Sequence, residues 1–496
     1  MRAWLSALVF VISSSSLKGE EKLPSVFMIA IDDLRPMLGC YGEERMHTPH
    51  IDRLAGRSVL FEYAYCNYAK CGASRLSLMT GLRPDQINVL GHGTKDVAAF
   101  RERRPDAVSL ARWFKNHGYE TRSFGKIDHD GWQIREDWSF PPSPGRDREM
   151  WEVVDEENPL GPTRIAERTD CPVIQNPDVP DDHLFAGRMT AEVTALLGSR
   201  EAEKPFFFAF GYRRPHLPFV APKKYFDLYD LDESWLSRSP EPPLDAPPLA
   251  WFNSDGYVGM ARNLGFKMPT PPSREEAVLW NGFELRSYTN APTRGALSPK
   301  AQLELIHAYV ACISYVDAQI GRLLRSLEDA GLLDETIIVL WSDHGWHLGE
   351  LSAWGKMTNY EVGTRIPLLI SSPGIPAART QALAELVDLY PTLCELTGIE
   401  GPNHLEGTSL VPILKNPESS GKEAVFHQYD RYRGKFQGKA IRTRDHRYVE
   451  WRNKEGELEA TELYDLRKDP DETRNIASQV PEIAKSLAQK LARGPR

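Results

Sequence analysis

Two short apolar runs, each stopping abruptly at charged residues, constrain the architecture of this chain more than any other feature. "SVFMIAI" (Ser25 to Ile31) leads straight into Asp32 and Asp33, and "TIIVLWS" (Thr336 to Ser342) into Asp343 and His344. Continuous apolar runs of this length with β-branched content predict strands covered on both faces. "KPFFFAFGYRRPH" (Lys204 to His216) repeats the form, and "GYETRSFGK" (Gly118 to Lys126) is a weaker fourth case. Helical patterns lie between them. "TPHIDRLAGRS" starts with a threonine and a proline suited to a first turn, and "LARWFKNHG" ends in a glycine suited to a C-terminus. The longest pattern runs from Ala301 to Gly331, with Ile306, Tyr309, Val310, Ile313, Ile320, Leu323, Leu324 and Leu327 at helical spacing. Buried strands alternating with amphipathic helices predict an α/β fold: a large, mostly parallel or mixed sheet sandwiched by helices.

The chain has 496 residues, enough for one large domain and a smaller one. Arg2, the apolar "AWLSALVFVI" and the small residues of "SSSSLKG" predict an export signal over residues 1–19. That run is too short to span a bilayer, so the expectation is an exported protein without a stable membrane anchor. A catalytic domain is expected over 20–420. Near Lys415 to Lys422 "LKNPESSGK" has the texture of a linker. The short alternating segments beyond it predict a small C-terminal subdomain, 421–496, with an antiparallel sheet and a terminal helix. Trp138 to Asp182 and Ser237 to Arg274 are rich in proline, glycine and charge, and are expected to be rim loops over the active face or disordered. The net charge of −9 with no basic tract argues against a nucleic-acid partner. An anionic substrate would need a few local cations working against that field.

Open α/β sheets bind ligands beyond the carboxyl ends of their strands. Asp32, Asp33, Lys126, His216, Asp343 and His344 all fall at such ends. Three carboxylates in one place repel unless a divalent cation joins them, and oxygen ligands favour calcium or magnesium over zinc. His344 is atypical for a hard cation, and "DD" alone would equally suit a turn that caps a helix. "CGASRLSLMTG" predicts a helix with Cys71 at its N-terminus, Arg75 one turn on and Gly81 closing it. A helix N-terminus with a guanidinium suits sulfate or phosphate, and a thiolate there would be activated. The six cysteines form no framework, and a disulfide between Cys66 and Cys71 is the competing structural reading. Composition and spacing thus give an anion site with a hard metal and a cysteine, but no reaction.

The motif "CGASRLSLMTG" resembles the signature of the sulfatases of the alkaline phosphatase superfamily, whose cysteine is oxidised to formylglycine. "IAIDDLRPMLGCYG", "TPHIDRLA", "YVACISYVDAQIGRLL" and "LYDLRKDPDETRN" are similar to other stretches of that family. "SFGKIDHDG", "FGYRRPHLPFVAPKKY" and "SDHGWHLGELSAWGKMTNYEVGTRIPL" resemble its iduronate-2-sulfatase branch. The resemblance implies calcium, or magnesium, held by Asp32, Asp33, Asp343, His344 and an oxygen of the modified Cys71. It implies that Arg75 holds the formylglycine hydrate and that Lys126 and Lys356 bind sulfate oxygens. His129 would act as base toward the hydrate and His216 as acid toward the leaving sugar oxygen. The partners implied are a sulfated saccharide and, during biosynthesis, a formylglycine-generating maturation enzyme. A phosphomonoester or phosphonate ester hydrolase, or a non-catalytic binder of sulfated glycans, are the alternatives. Ala73 stands where proline is commoner in the signature, and Arg213 and Arg214 replace a histidine and lysine pattern.

Overall fold

The computed structural model describes residues 23–89, 91, 93–129, 131–142, 151–200 and 204–495. The expected signal segment lies outside the described residues.

A seven-stranded mixed sheet forms the centre. Its strands are β1 (Ser25–Ile31), β2 (Val59–Tyr65), β3 (Glu120–Gly125), β4 (Phe206–Tyr212), β5 (Thr336–Ser342), β6 (Arg365–Ser371) and β7 (Ala378–Glu385). Their spatial order is β7-β2-β6-β5-β1-β4-β3. The four strands foreseen from their apolar runs, β5, β1, β4 and β3, are parallel neighbours. β6 runs antiparallel to both its neighbours.

The helices used below include α1 (Pro49–Ala55), α2 (Cys71–Thr80), α3 (Thr94–Arg103), α4 (Leu110–Asn116), α5 (Phe185–Gly198), α6 (Pro299–Asp329), α7 (Leu389–Leu396) and α8 (Pro481–Arg493). Alternate residues of β1 face opposite cores, which is why its sequence shows no polar alternation. Phe27, Ile29 and Ile31 pack with Ile313, Ile320 and Leu324 of α6 and with Val193 of α5. Val26, Met28 and Ala30 share a core with Phe114 of α4 and with Leu389 and Leu393 of α7. α6 begins as capping chemistry dictates, with the Ser298 hydroxyl accepting from Ala301 N and Pro299 in the first turn.

A four-stranded antiparallel meander follows: β8 (Ala424–Arg431), β9 (Phe436–Thr443), β10 (His446–Asn453) and β11 (Leu458–Asp465). Leu487 of α8 packs on one face with Ile441, Tyr448 and Leu463. On the other face Ala440, Val449, Trp451 and Tyr464 meet Trp251, Phe252 and Ala261. The segment expected as a loop from Ser237 to Arg274 is therefore a packed layer, with helical turns at Pro248–Trp251 and Val258–Asn263. Its Asn253 donates from Nδ2 to the carbonyls of Trp354 and Lys356, at 3.0 Å each. The stretch read as a linker is also anchored. The Lys422 ammonium sits 2.6 Å from both Glu385 and Asp388, and Glu385 takes a bidentate pair from Arg83 at 2.7 Å.

His427 of β8 is buried and faces the Asn359 carbonyl through Nε2 at 3.1 Å, so that nitrogen carries the hydrogen. Burial, with the Arg447 charge adding, pushes its pKa down from 6.5 to about 3. The unfolded chain therefore binds a proton across that window and the native chain does not. The contribution is complete above about pH 6.5 and is lost as pH falls toward about 3, at up to about 1.4 kcal/mol per pH unit. Urea unfolding between pH 7 and 4 is expected to show a shallower acid slope in His427→Gln, whose amide can keep the bond to Asn359.

Candidate active site

Parallel register gathers the site. Ile31 of β1 is level with Ser342 of β5 and Tyr212 of β4, so Asp32 and Asp33, Asp343 and His344, and Arg213 emerge along one sheet edge. Lys126 follows β3 at that edge, where the chain crosses against β4. A Cβ on Gly211 would lie 1.9 Å from the Lys126 carbonyl oxygen, so only glycine permits the crossing.

All five expected metal ligands converge. Ligand atoms of Asp32, Cys71, Asp343 and His344 lie within 4.8 Å of one another, as do those of Asp32, Asp33, Cys71 and His216. His344 Nε2 is 3.2 Å from Cys71 Sγ, 3.4 Å from Asp33 Oδ1 and 3.7 Å from Asp343 Oδ2. Asp343 Oδ1 accepts from the Asp33 backbone N–H at 3.2 Å. Every one of these side chains is buried.

Cations compensate the acids. The Lys126 ammonium pairs with Asp32. Lys356 Nζ lies 2.8 and 3.0 Å from the two oxygens of Asp33. Burial opposes charge on both lysines, but Asp32 holds Lys126 above its ordinary value and Asp33 holds Lys356 well above it. Burial also raises Asp32, yet Lys126, His216 and Arg75 bring it well below the usual carboxylate range.

Cys71 is the first residue of α2, whose end at Gly81 has φ +67°, as expected. Both Cys71 and Cys66 are free thiols, so the disulfide reading fails. The activated thiolate fails too. Burial, with the Asp32 charge adding, pushes the Cys71 thiol up to about 12. An unmodified cysteine here stays protonated near neutral pH and is a poor nucleophile.

Arg75 reaches the acids from α2. Its Nε donates to Asp343 Oδ2 at 2.8 Å, and Nη2 lies 3.4 Å from Asp32 Oδ1. Nη1 donates to the carbonyls of Lys126 and, at 3.1 Å, Ile127. It is the buried floor that ties three strand ends together. His129 packs edge-on against Trp132, whose indole lies over Gly72. His216 donates through Nδ1 to the Leu217 carbonyl at 2.6 Å, which turns Nε2 toward Asp33 at 3.9 Å and Glu284 at 3.4 Å. Burial, then the Lys356 charge, push its pKa well below the ordinary value.

Several site residues escaped sequence reasoning. Glu284, in the helical turn Phe283–Arg286, reaches both His216 and, at 3.6 Å, Lys356. Tyr309 of α6 donates to the Asp33 carbonyl at 2.7 Å, and Ser74 to the Asp343 carbonyl at 2.5 Å. Glu284 has no periodicity or motif around it. Tyr309 was visible only as a core position of a helix.

The comparisons with known proteins agree with this geometry. A family model described as Sulfatase matches residues 24–399, and one for the C-terminal part of N-sulphoglucosamine sulphohydrolase matches 349–495. Iduronate 2-sulfatase of Homo sapiens is 30% identical over 527 aligned residues, covering 91% of this chain and 90% of that one. A sulfatase of Formosa agariphila is 30% identical, covering 92% and 83% of the two chains. Among solved structures, the phosphonate monoester hydrolase of Agrobacterium radiobacter superposes with a TM-score of 0.72 at 23% identity over 95% of both chains, which shows the shared fold. With its acid cluster, buried cysteine and strand-end lysines in that frame, this chain belongs to the sulfatase family and is a sulfuric ester hydrolase.

Proposed function

We propose that the protein removes sulfate from a sulfated saccharide, with the 2-O-sulfate of an iduronate-type uronic acid in a glycosaminoglycan-type glycan as its substrate. It acts as an exported enzyme after a maturation enzyme oxidises Cys71 to formylglycine. The observation that carries this reading is the position of Cys71, set 3.2 Å from His344 and inside the acid cluster. The specific sugar draws its support from the 30% identity to a human iduronate 2-sulfatase.

The donor set fits a hard divalent cation. Asp32, Asp33 and Asp343 each bring an oxygen within 4.8 Å of the His344 Nε2, and the lysines lean on Asp32 and Asp33 as counter-charges. Asp32, Asp33, Asp343 and His344, with an oxygen of residue 71, would hold calcium or magnesium, which supplies polarisation of sulfate oxygens and acidification of a neighbouring hydroxyl. Formylglycine, as its hydrate, supplies an oxygen nucleophile and an exit route that a serine ester lacks. The remaining tasks fall to the chain's own groups. Lys126 and Lys356 turn from the acids to the equatorial oxygens of the sulfate, where charge must be neutralised. His216, fixed by Leu217, presents Nε2 to the leaving sugar oxygen, with Glu284 and the substrate's negative charge favouring a proton there. His129, braced by Trp132, takes the proton from the hydrate. Arg75 keeps the carboxylates in place.

The test is sulfate release by protein co-produced with a maturation enzyme. Substrates are heparin- and dermatan-derived disaccharides, an aryl sulfate and the matched aryl phosphate. Release from a 2-sulfated uronate disaccharide, lost in EDTA and restored by calcium, is the expected result. Turnover of the phosphate alone, or of no sulfate at all, rejects the reading.

A further inference from the structure

Lys70, the residue before Cys71, lines a second cavity of about 660 Å3. The other walls include Asp96 and Arg103 of α3, and Tyr429, Asp430 and Arg433 at the end of β8 and in the turn that follows. The volume is that of an ordinary small-molecule site. None of these residues takes part in the chemistry assigned above.

Three features say what the cavity is built to hold. First, Asp430 is 7% exposed, and its Oδ1 has no hydrogen-bond partner among the described residues. A buried carboxylate oxygen without a donor is costly, so the site calls for hydroxyl or ammonium groups from a ligand. Second, the turn after β8 is held in a strained shape. Tyr432 and Arg433 have φ of +51° and +57°, a region that side-chain-bearing residues seldom occupy. Asp255 pins it, accepting from the Tyr432 N–H at 2.8 Å and from the Arg431 guanidinium at 2.9 Å. Third, the walls mix cations, carboxylates and an aromatic ring. A bare anion would want only the cations, and an apolar ligand none of the charges. A hydroxylated ring bearing an acidic substituent uses all three.

Lys70 joins this cavity to the site of chemistry. It is buried in the cavity wall and is followed directly by Cys71, the first residue of α2. The chain therefore passes from the cavity wall into the site of chemistry within one residue. We infer that the cavity receives the sugar ring adjoining the sulfated one, with Asp430 accepting from its hydroxyls and Arg433 facing its anionic group. The working substrate is then at least a disaccharide. This rests on the saccharide sulfatase reading, and the experiment separates the two.

Asp430→Asn and Arg433→Asn suit the test, since asparagine tolerates a positive φ at position 433. The quantity read is the ratio of kcat/KM on a sulfated disaccharide to that on 4-methylumbelliferyl sulfate, which is too small to fill both places. Each variant is expected to lower that ratio about 10- to 100-fold, mainly through KM on the disaccharide, as the loss of a hydrogen bond to a charged group would. Turnover of the aryl sulfate reports that the variant is folded. A ratio unchanged in both variants overturns the subsite while leaving the sulfatase reading intact. So does a wild-type enzyme that cleaves the sulfated monosaccharide as well as the disaccharide. A wild-type enzyme that cleaves no sulfate ester overturns both.

Discussion

Cys71→Ala folds like the parent protein and releases no measurable sulfate, a fall in kcat of about 1,000-fold or more, as for loss of a covalent nucleophile. The side chain is small, and its removal leaves the surrounding acids paired with Lys126, Lys356 and Arg75. The thermal midpoint should therefore move little while activity disappears. The companion measurement is mass spectrometry of the peptide spanning residue 71. In active parent protein that peptide is expected to be lighter than the thiol form, because conversion to formylglycine replaces the sulfur by oxygen and removes two hydrogens. Full activity with an intact thiol, or retained activity in the alanine variant, would sink the formylglycine assignment.

Arg75→Ala loses both activity and stability, with a destabilisation of about 3–5 kcal/mol in denaturant unfolding, the usual cost of stripping one partner from a buried ion cluster. Arg75 is fully buried and serves Asp343, Asp32 and the backbone carbonyls of Lys126 and Ile127. Arg75→Lys keeps the charge but not the planar fork, and is expected to recover only part of the loss. An alanine variant as stable as the parent but inactive would instead return Arg75 to the role of directly holding the hydrate.

The strands that carry the chemistry were readable because each is buried on both faces and ends in charge. The strands that widen the sheet were not. β6 contains Pro367, which argues against a central strand, and the structure accommodates it where the pairing with β2 slips between Ile366 and Leu368. β2 mixes buried and half-buried positions and carries Glu62. The segment from Ser237 to Arg274 looked like loop because its apolar residues follow no period. It is ordered by Trp251 and Phe252 packing against a sheet that lies far on in the chain.

Within the site, the residues with local signatures were found: a doublet of acids after a strand, a cysteine opening a helix, an arginine one turn later. The partners without signatures, Glu284 beside His216 and Lys70 and Asp430 in the neighbouring cavity, became visible only when distant segments met. Sequence alone settled which groups stand at strand ends, because burial and backbone hydrogen bonding leave a periodic trace in a contiguous stretch. Tertiary structure alone decided that Arg75 ties Asp343 to Asp32, that Cys66 and Cys71 stay apart, and which charges balance which. The charge balance depends on electrostatics between groups from 43 to 323 residues apart, and burial multiplies such energies without leaving any mark on local spacing.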